Sequence, residues 1–224
     1  IYMASGYYDY DEGYRPALPQ EEAFAGRIVH PQHWPQDLDY TGKRVTVIGS
    51  GATAMTLIPA MADKAAHVTM LQRSPTYIIS RPSSDWLTKV ARAYLPAKWA
   101  YGLIRTRNRV LQRLLYTPSR KRPDKVREML LGEVEKAIGE KVDVATHFTP
   151  RYGPWEERLC LIPDGDLFDA INAGKADVVT DEIAGFTADG PVLKGTGAVL
   201  PTDVLVVATG LKLALFGKAE LSVD

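Results

Sequence analysis

The chain has 224 residues, 46% of them hydrophobic, with Lys plus Arg and Asp plus Glu both at 27. That size and balance allow one large domain or two small ones and give no net field toward a polyanionic partner. The lone Cys160 rules out an intramolecular disulfide and fits a reducing, cytoplasmic setting, and no apolar run approaches the length of a membrane span.

The chain opens IYMASGYYDY, without an initiator Met, a basic n-region or an apolar h-region, and reads as part of a longer protein. Residues 1–42 are expected to form a connector, irregular after a short opening strand. Within it, residues 24–35 read FAGRIVHPQHWP. Pro31 and Pro35 remove backbone donors and bias His30 and Trp34 toward extended conformations. No helical or two-residue period holds these aromatics on one face, so local pattern alone predicts a tight loop over Phe24 and Trp34.

Residues 44–48 (RVTVI) form a β-branched run suited to a strand buried on both faces. GSGATA follows at 49–54, a helical pattern with Pro59 at 55–66, and a second apolar strand (HVTML) at 67–71. Together 44–72 make a complete β-α-β unit. Residues 85–141 read as a helical insertion, with helices at 86–94, 98–116 and 123–139 broken by Pro96, Pro118 and Pro123. The basic stretch 105–122 carries periodic Leu and Val, which predicts an amphipathic helix with a solvated basic face rather than a nucleic-acid site.

A helix at 166–174 is expected to end on Gly174. Short strands follow at 177–180, 182–187, 191–194 and 198–201, then a buried strand in 203–210 (DVLVVATG). The predicted fold class is α/β: a Rossmann-like doubly wound parallel sheet, helices on both faces, with a helical insertion. The expected division is a connector at 1–42, a nucleotide-binding domain at 43–200, and a return strand and connector at 201–224.

Gly49, Ser50, Gly51, Ala52, Thr53 and Ala54 fit G-x-G-x-x-G/A between a strand and a helix. The first Gly makes the turn, the second admits a pyrophosphate, and the third position needs a small residue for helix–strand packing. The helix N-terminus offers free N–H groups to the phosphates, and Ser50 and Thr53 add hydroxyls. At the end of the second strand an NAD site wants an acid; this chain has Gln72, Arg73, Ser74 and Pro75. An Arg bonds a 2′-phosphate that an acid would repel, so Arg73 and Ser74 predict NADP. The alternative for Arg73 is a surface salt bridge. His33, His67, His147 and Cys160 lack metal-ligand spacing, and no metal site is predicted.

Phe24, Gly26, His30, Trp34 and Pro35 match F-x-G-x-x-x-H-x-x-x-W-P, and the chain thereby resembles the Baeyer–Villiger class of flavoprotein monooxygenases. Residues 203–210 resemble the late ATG turn of two-dinucleotide-binding flavoproteins, and residues 4–10 its early counterpart. The chain looks like the nicotinamide domain of such an enzyme, near the 4-hydroxyacetophenone monooxygenase branch. The resemblance implies NADPH and FAD as cofactors, with the FAD loop in the part of a longer parent that precedes this stretch. It implies a parent that inserts one oxygen atom of O2 into a small ketone or aldehyde, and a fragment inactive alone. Thr209 and Gly210 are implied in cofactor binding. Residues 151–168 are similar to the family segment bearing the active-site arginine, which falls on Arg158. A fixed cation there suits negative charge building on oxygen; the alternative is an ion pair with Glu156, Glu157 or Asp164. Glu157 departs from the family, where a basic residue is frequent. His30 is implied in domain movement, with proton transfer as its other candidate role. N- or S-oxygenating flavin enzymes and a non-catalytic NADP-binding redox module are the competing readings; Trp34 and Pro35 disfavour the former. Neither nucleic acid nor membrane is expected as a partner.

Overall fold

The computed structural model describes residues 4, 6–219 and 222. In chain order the elements are β1 (Tyr8–Gly13), β2 (Arg27–Val29), β3 (Arg44–Ile48), α1 (Ala52–Ala62), β4 (His67–Gln72), β5 (Tyr77–Arg81), α2 (Trp86–Tyr94) and α3 (Ala97–Lys121). Then come α4 (Pro123–Ile138), α5 (Val144–His147), β6 (Leu159–Pro163), α6 (Asp166–Asn172), β7 (Ala176–Thr180), β8 (Ile183–Thr187), β9 (Gly190–Leu193), β10 (Val204–Val207) and β11 (Leu211–Leu213). The chain divides into two compact units, one reaching Ser74 and resuming at Ala173, the other spanning Pro75–Asn172. The second unit encloses the helical stretch 85–141. The expected strand at the very start of the chain lies outside the described residues.

The first unit is built on a five-stranded parallel sheet in the order β2-β10-β3-β4-β7. Arg44 to Ile48 pair in register with His67 to Leu71, as the β-α-β pattern predicts. Val45, Val47, Val68 and Met70 are buried, and so is every residue of β10, because parallel strands covered on both faces need continuous apolar runs. α1 continues through Pro59 to Ala62 and packs against β3, β4 and β7 through Ala54, Met55, Ile58 and Met61. Leu205 and Val207 form a different cluster with Phe24 and Phe186, joined by Ile28 and Ile48. The β8–β9 hairpin and the connector therefore supply that cluster, where a second helix was expected.

The stretch at 24–35 is not only a loop. Residues 27–29 form β2, a parallel partner of β10, and the two prolines fall outside the pairing. Gly26 enters this edge because a Cβ there would lie 2.6 Å from the Asp203 carbonyl oxygen and 2.3 Å from the Phe24 ring. Phe24 packs on Phe186 with ring centroids 6.0 Å apart, and Trp34 stands edge-on to Tyr40 at 6.4 Å. Asp203 joins three strands. Its carboxylate accepts from the Arg44 backbone N–H and guanidinium, and its carbonyl accepts from the Arg27 N–H. The guanidinium lowers the Asp203 carboxyl to about 2.

Residues 198–201 do not form the expected strand. They make one isolated bridge, Val199 to Val192, because Pro191 and Pro201 withhold donors that a continuous third strand would need.

In the second unit, β5 and β6 pair in parallel from Tyr77–Leu159 to Arg81–Pro163, a small sheet the sequence reading missed. α4 lays Val126, Leu130, Val134 and Ile138 inward at four-residue spacing, with Tyr77 in the same cluster. Asp85 caps α2 by accepting from the Leu87 and Thr88 N–H groups and binds Arg107 of α3 at 2.6 Å. Arg107 holds the Asp85 carboxyl well below the usual range. Pro118 does not break α3, which runs on to Lys121. The break falls at Arg122 (φ −142°, ψ 63°), the residue before Pro123, where proline disfavours helical backbone. Gly174 has φ +70°, the left-handed conformation expected after α6.

Candidate functional site: a phosphate loop meeting two connectors

The two glycines of the loop after β3 have different reasons to be glycine. Gly49 has φ +131°, and a Cβ there would sit 2.5 Å from the Ala208 carbonyl oxygen. The protein itself requires that glycine. Gly51 has ordinary extended backbone (φ −86°, ψ 179°), and a Cβ there would meet nothing within 4 Å. Neither backbone nor packing demands it, so the open space in front of Gly51 is what a side chain would spoil. Ala54, in the first turn of α1, is fully buried, which explains the small third residue.

Gly51 caps α1, and its carbonyl accepts the Met55 N–H as the first helical bond. No side chain caps the N–H groups of the first turn, which leaves them open to an anion. Thr53 is exposed beside them. Ser50 is buried, and its hydroxyl donates to the Ser74 carbonyl at 3.0 Å, tying the loop to the end of β4.

Three sequence motifs line one cavity of about 220 Å³: His30 and Gln32 of the first connector, Thr53 of the loop, and Ala208, Gly210 and Leu211 at the end of β10. The His30 ring is fixed from two sides. Its Nδ1 accepts the Gln32 N–H at 3.2 Å, and it lies so close to Gly13 that a Cβ there would be 1.9 Å from Cε1. With Nδ1 accepting, the neutral ring carries its proton on Nε2. That Nε2 and the Gln32 Oε1 are buried without a partner among the described residues. Buried polar atoms normally find partners, so this pair stands out as one donor and one acceptor that no described residue takes up. The Thr209 hydroxyl donates to the Tyr14 carbonyl at 2.6 Å and the Gly210 carbonyl accepts the Tyr14 N–H. Thr209 thus clamps the two connectors together.

At the end of β4, Gln72 is buried and donates to Thr180 Oγ1, while Arg73 is exposed. No hydrogen bond or ion pair to Arg73 occurs among the described residues, so the surface salt bridge weighed for it is not formed. Glu182 is held below the usual carboxylate range first by Lys194, at 2.7 Å, and in smaller part by Arg73.

Arg158 lies in the second unit, at the residue before β6. Its guanidinium makes no ion pair among the described residues: Glu156 accepts the Gly153 N–H, and Asp164 accepts the Ser83 N–H. Its backbone is held firmly. Tyr152 donates its hydroxyl to the Arg158 carbonyl, and Tyr77 donates to the Tyr152 carbonyl, both at 2.8 Å. The two rings meet edge-on at 5.5 Å, and burial pushes both phenols up. Sequence reasoning missed this pair; the aromatic density of 151–155 was its only signal. Burial likewise pushes the Cys160 thiol up, which keeps it protonated and unreactive. Among the described residues no three His, Cys, Asp or Glu side chains come together as a metal site.

The comparisons with known proteins bear on this geometry. Residues 1–93 match the family described as flavin-binding monooxygenase-like. FAD-containing monooxygenase EthA of Mycobacterium tuberculosis is 50% identical over 225 residues, covering 100% of this chain and 46% of the relative. Over its whole length the chain is thus similar to part of a protein named as an FAD-containing monooxygenase. The probable FAD-binding monooxygenase AlmA of Acinetobacter baylyi is 51% identical over 225 residues, 100% of this chain and 45% of its own length. The chain thus spans about half the length of the curated relatives it matches. Among solved structures, a cyclohexanone monooxygenase with bound ε-caprolactone has a TM-score of 0.69 at 21% identity, covering 95% of this chain and 48% of its own. An oxidized steroid monooxygenase bound to NADP has a TM-score of 0.69 at 24% identity, covering 93% and 46%. These structural likenesses show the fold, the α/β arrangement that the chain's parallel sheet and helices display.

Proposed function

We propose that this chain is the NADPH-binding domain of an FAD-dependent monooxygenase whose parent carries out Baeyer–Villiger oxidation of ketones. The observation that carries the nucleotide assignment is Gly51, a glycine that no contact or backbone angle of the protein explains. A pyrophosphate close to that backbone explains it. The loop 49–54 and the first turn of α1 would hold the pyrophosphate, and Arg73 with Ser74 would hold the adenosine 2′-phosphate. The NADP named in the steroid monooxygenase structure supports the nucleotide, and the FAD named for the curated relatives supports the flavin. When bound, the nicotinamide supplies a hydride and the flavin activates O2. The residues of this chain orient the first and leave most of the flavin site to the rest of the parent.

Arg158 is the proposed catalytic cation. Its carbonyl is fixed by Tyr152 while its guanidinium makes no ion pair among the described residues, which leaves a permanent charge for oxygen that becomes negative. Arg158→Ala in the full parent should keep consuming NADPH but lose about 10²–10³ in ester formation from a ketone. Product formation near the parent rate would make Arg158 structural.

Nucleotide choice tests the reading most simply. Calorimetric titration should show NADPH binding more tightly than NADH. Arg73→Ala should remove about 1.5–3 kcal/mol of the NADPH affinity and leave NADH unchanged, because only the 2′-phosphate loses a charge-assisted bond. Equal affinity of the wild type for both nucleotides contradicts the assignment.

A further inference from the structure

The helical unit carries a surface that the nucleotide reading does not use. Between residues 86 and 122 there are ten Lys and Arg and no Asp or Glu, in a chain whose charges balance at 27 and 27 overall. The same segment exposes unusually large apolar side chains, including Trp86 at 73%, Tyr94 at 83% and Trp99 at 72%. α3 is 25 residues long, yet only Ala100 and Ser119 are buried.

The exposed groups are ordered along the helices. On α3, Trp99, Leu103, Val110 and Leu114 are exposed at spacings of four, seven and four, which at about 100° per residue places them within about 60° of one another. Lys98, Arg105, Arg109 and Arg113 form a second band beside that stripe by the same arithmetic. On α2, Trp86, Val90 and Tyr94 repeat at four-residue spacing, and all are exposed. A groove of about 640 Å³ in this helical pair is lined by Arg92, Arg105 and Arg109 together with Leu95, Ala100 and Ile104. By the same arithmetic this groove opens on the side of α3 away from the stripe, so it is separate from the surface that the stripe forms.

We propose that the exposed face of α3 docks on an anionic phospholipid membrane, with the Trp99–Leu114 stripe in the headgroup layer and the flanking band of Lys98, Arg105, Arg109 and Arg113 on lipid phosphates. Basic residues combined with exposed Trp, Tyr and Leu on one helix are the composition of an interfacial helix. A protein partner is favoured less, because ten cations without one acid over residues 86–122 ask for a partner that is anionic over its whole face, as an acidic lipid surface is. No helix among the described residues is long and apolar enough to cross a membrane, and docking on a surface needs none. The proposal revises the expectation of a purely solvated basic face without a membrane partner. The rest of the parent chain, roughly as long again, is the competing cover for this surface, and the test decides between them.

The FAD-loaded full-length parent is mixed with phosphatidylcholine vesicles and with vesicles of phosphatidylcholine and phosphatidylglycerol in equal parts, then sedimented. Binding is expected only to the anionic vesicles and should fall steeply as salt rises. Reversing charge with Arg105→Glu, Arg109→Glu and Arg113→Glu together should weaken it by at least about tenfold. The double variant Trp99→Ser, Leu103→Ser should weaken it with the charge intact. Unchanged NADPH binding in each variant shows that the protein is folded; a variant that loses it is replaced by Arg105→Gln with Arg109→Gln. Absence of vesicle binding by the parent, which is the outcome if its other half covers the surface, overturns the proposal. So does equal binding to neutral vesicles, equal binding by the folded charge-reversed protein, or complete competition by inorganic phosphate, which marks a free-anion site instead.

Discussion

The parallel sheet and the α2–α3 pair are both rich in periodic apolar residues, yet they spend them oppositely. In β3, β4 and β10 the apolar run and the burial coincide, with Val47, Val68 and Leu205 fully enclosed. In α3 the periodicity is as regular, but Trp99, Leu103, Val110 and Leu114 face outward. Periodicity specifies an element and one coherent face; it does not say what that face meets. For strands flanked by other strands the partner is supplied by the same chain, near in sequence for β3 and β4 and more than a hundred residues away for β10 and β7. For α3 it is not.

The largest test of this contrast is a pair of truncations. Leu205→Ala, in the centre of the sheet, should cost about 2–5 kcal/mol of stability by loss of transfer energy and the cavity left behind. Leu114→Ala, 64% exposed on α3, should stay within about 0.5 kcal/mol. Denaturant unfolding monitored in both variants checks this. Comparable losses would mean that α3 is packed in solution in a way its exposure denies.

A smaller effect separates the units by pH. Asp203, which joins β10 to β3, has its carboxyl lowered to about 2 by Arg44. A depressed carboxyl contributes stability that is fully present above its unfolded value near 4 and is lost as pH falls toward about 2. Arg44→Met should flatten that acid dependence of unfolding, modestly, because both side chains are partly exposed. An unchanged slope between about pH 4 and pH 2 would show that the pair contributes nothing measurable.

Much of the sheet unit was legible in the sequence. RVTVI, HVTML and DVLVVATG each announce a buried strand, and GSGATA between the first two announces the turn. What escaped notice were short or cross-chain features. β2 is three residues long and is stabilised by pairing with β10, some 175 residues away, which no local pattern encodes. β5 and β6 pair across the whole helical stretch for the same reason. Pro118 alone predicts a helix break, yet α3 runs through it to Lys121, and the break falls at Arg122, the residue that Pro123 restricts. At the site, the residue types were readable but their employment was not. Ser50 and Thr209 spend their hydroxyls on the protein's own carbonyls, whereas Arg73 and Thr53 are exposed and His30 Nε2 has no partner among the described residues.

The central claim is that Gly51 is glycine for a ligand while Gly49 is glycine for the fold, and two single substitutions measure it. Gly49→Ala should lose about 1–3 kcal/mol of stability, from positive φ and its crowding against the Ala208 carbonyl. Gly51→Val should unfold within about 0.5 kcal/mol of wild type, since nothing lies within 4 Å of its Cβ. Calorimetric titration of Gly51→Val with NADPH is the decisive measurement. The account predicts a folded protein that no longer binds the nucleotide; wild-type affinity in Gly51→Val would contradict it.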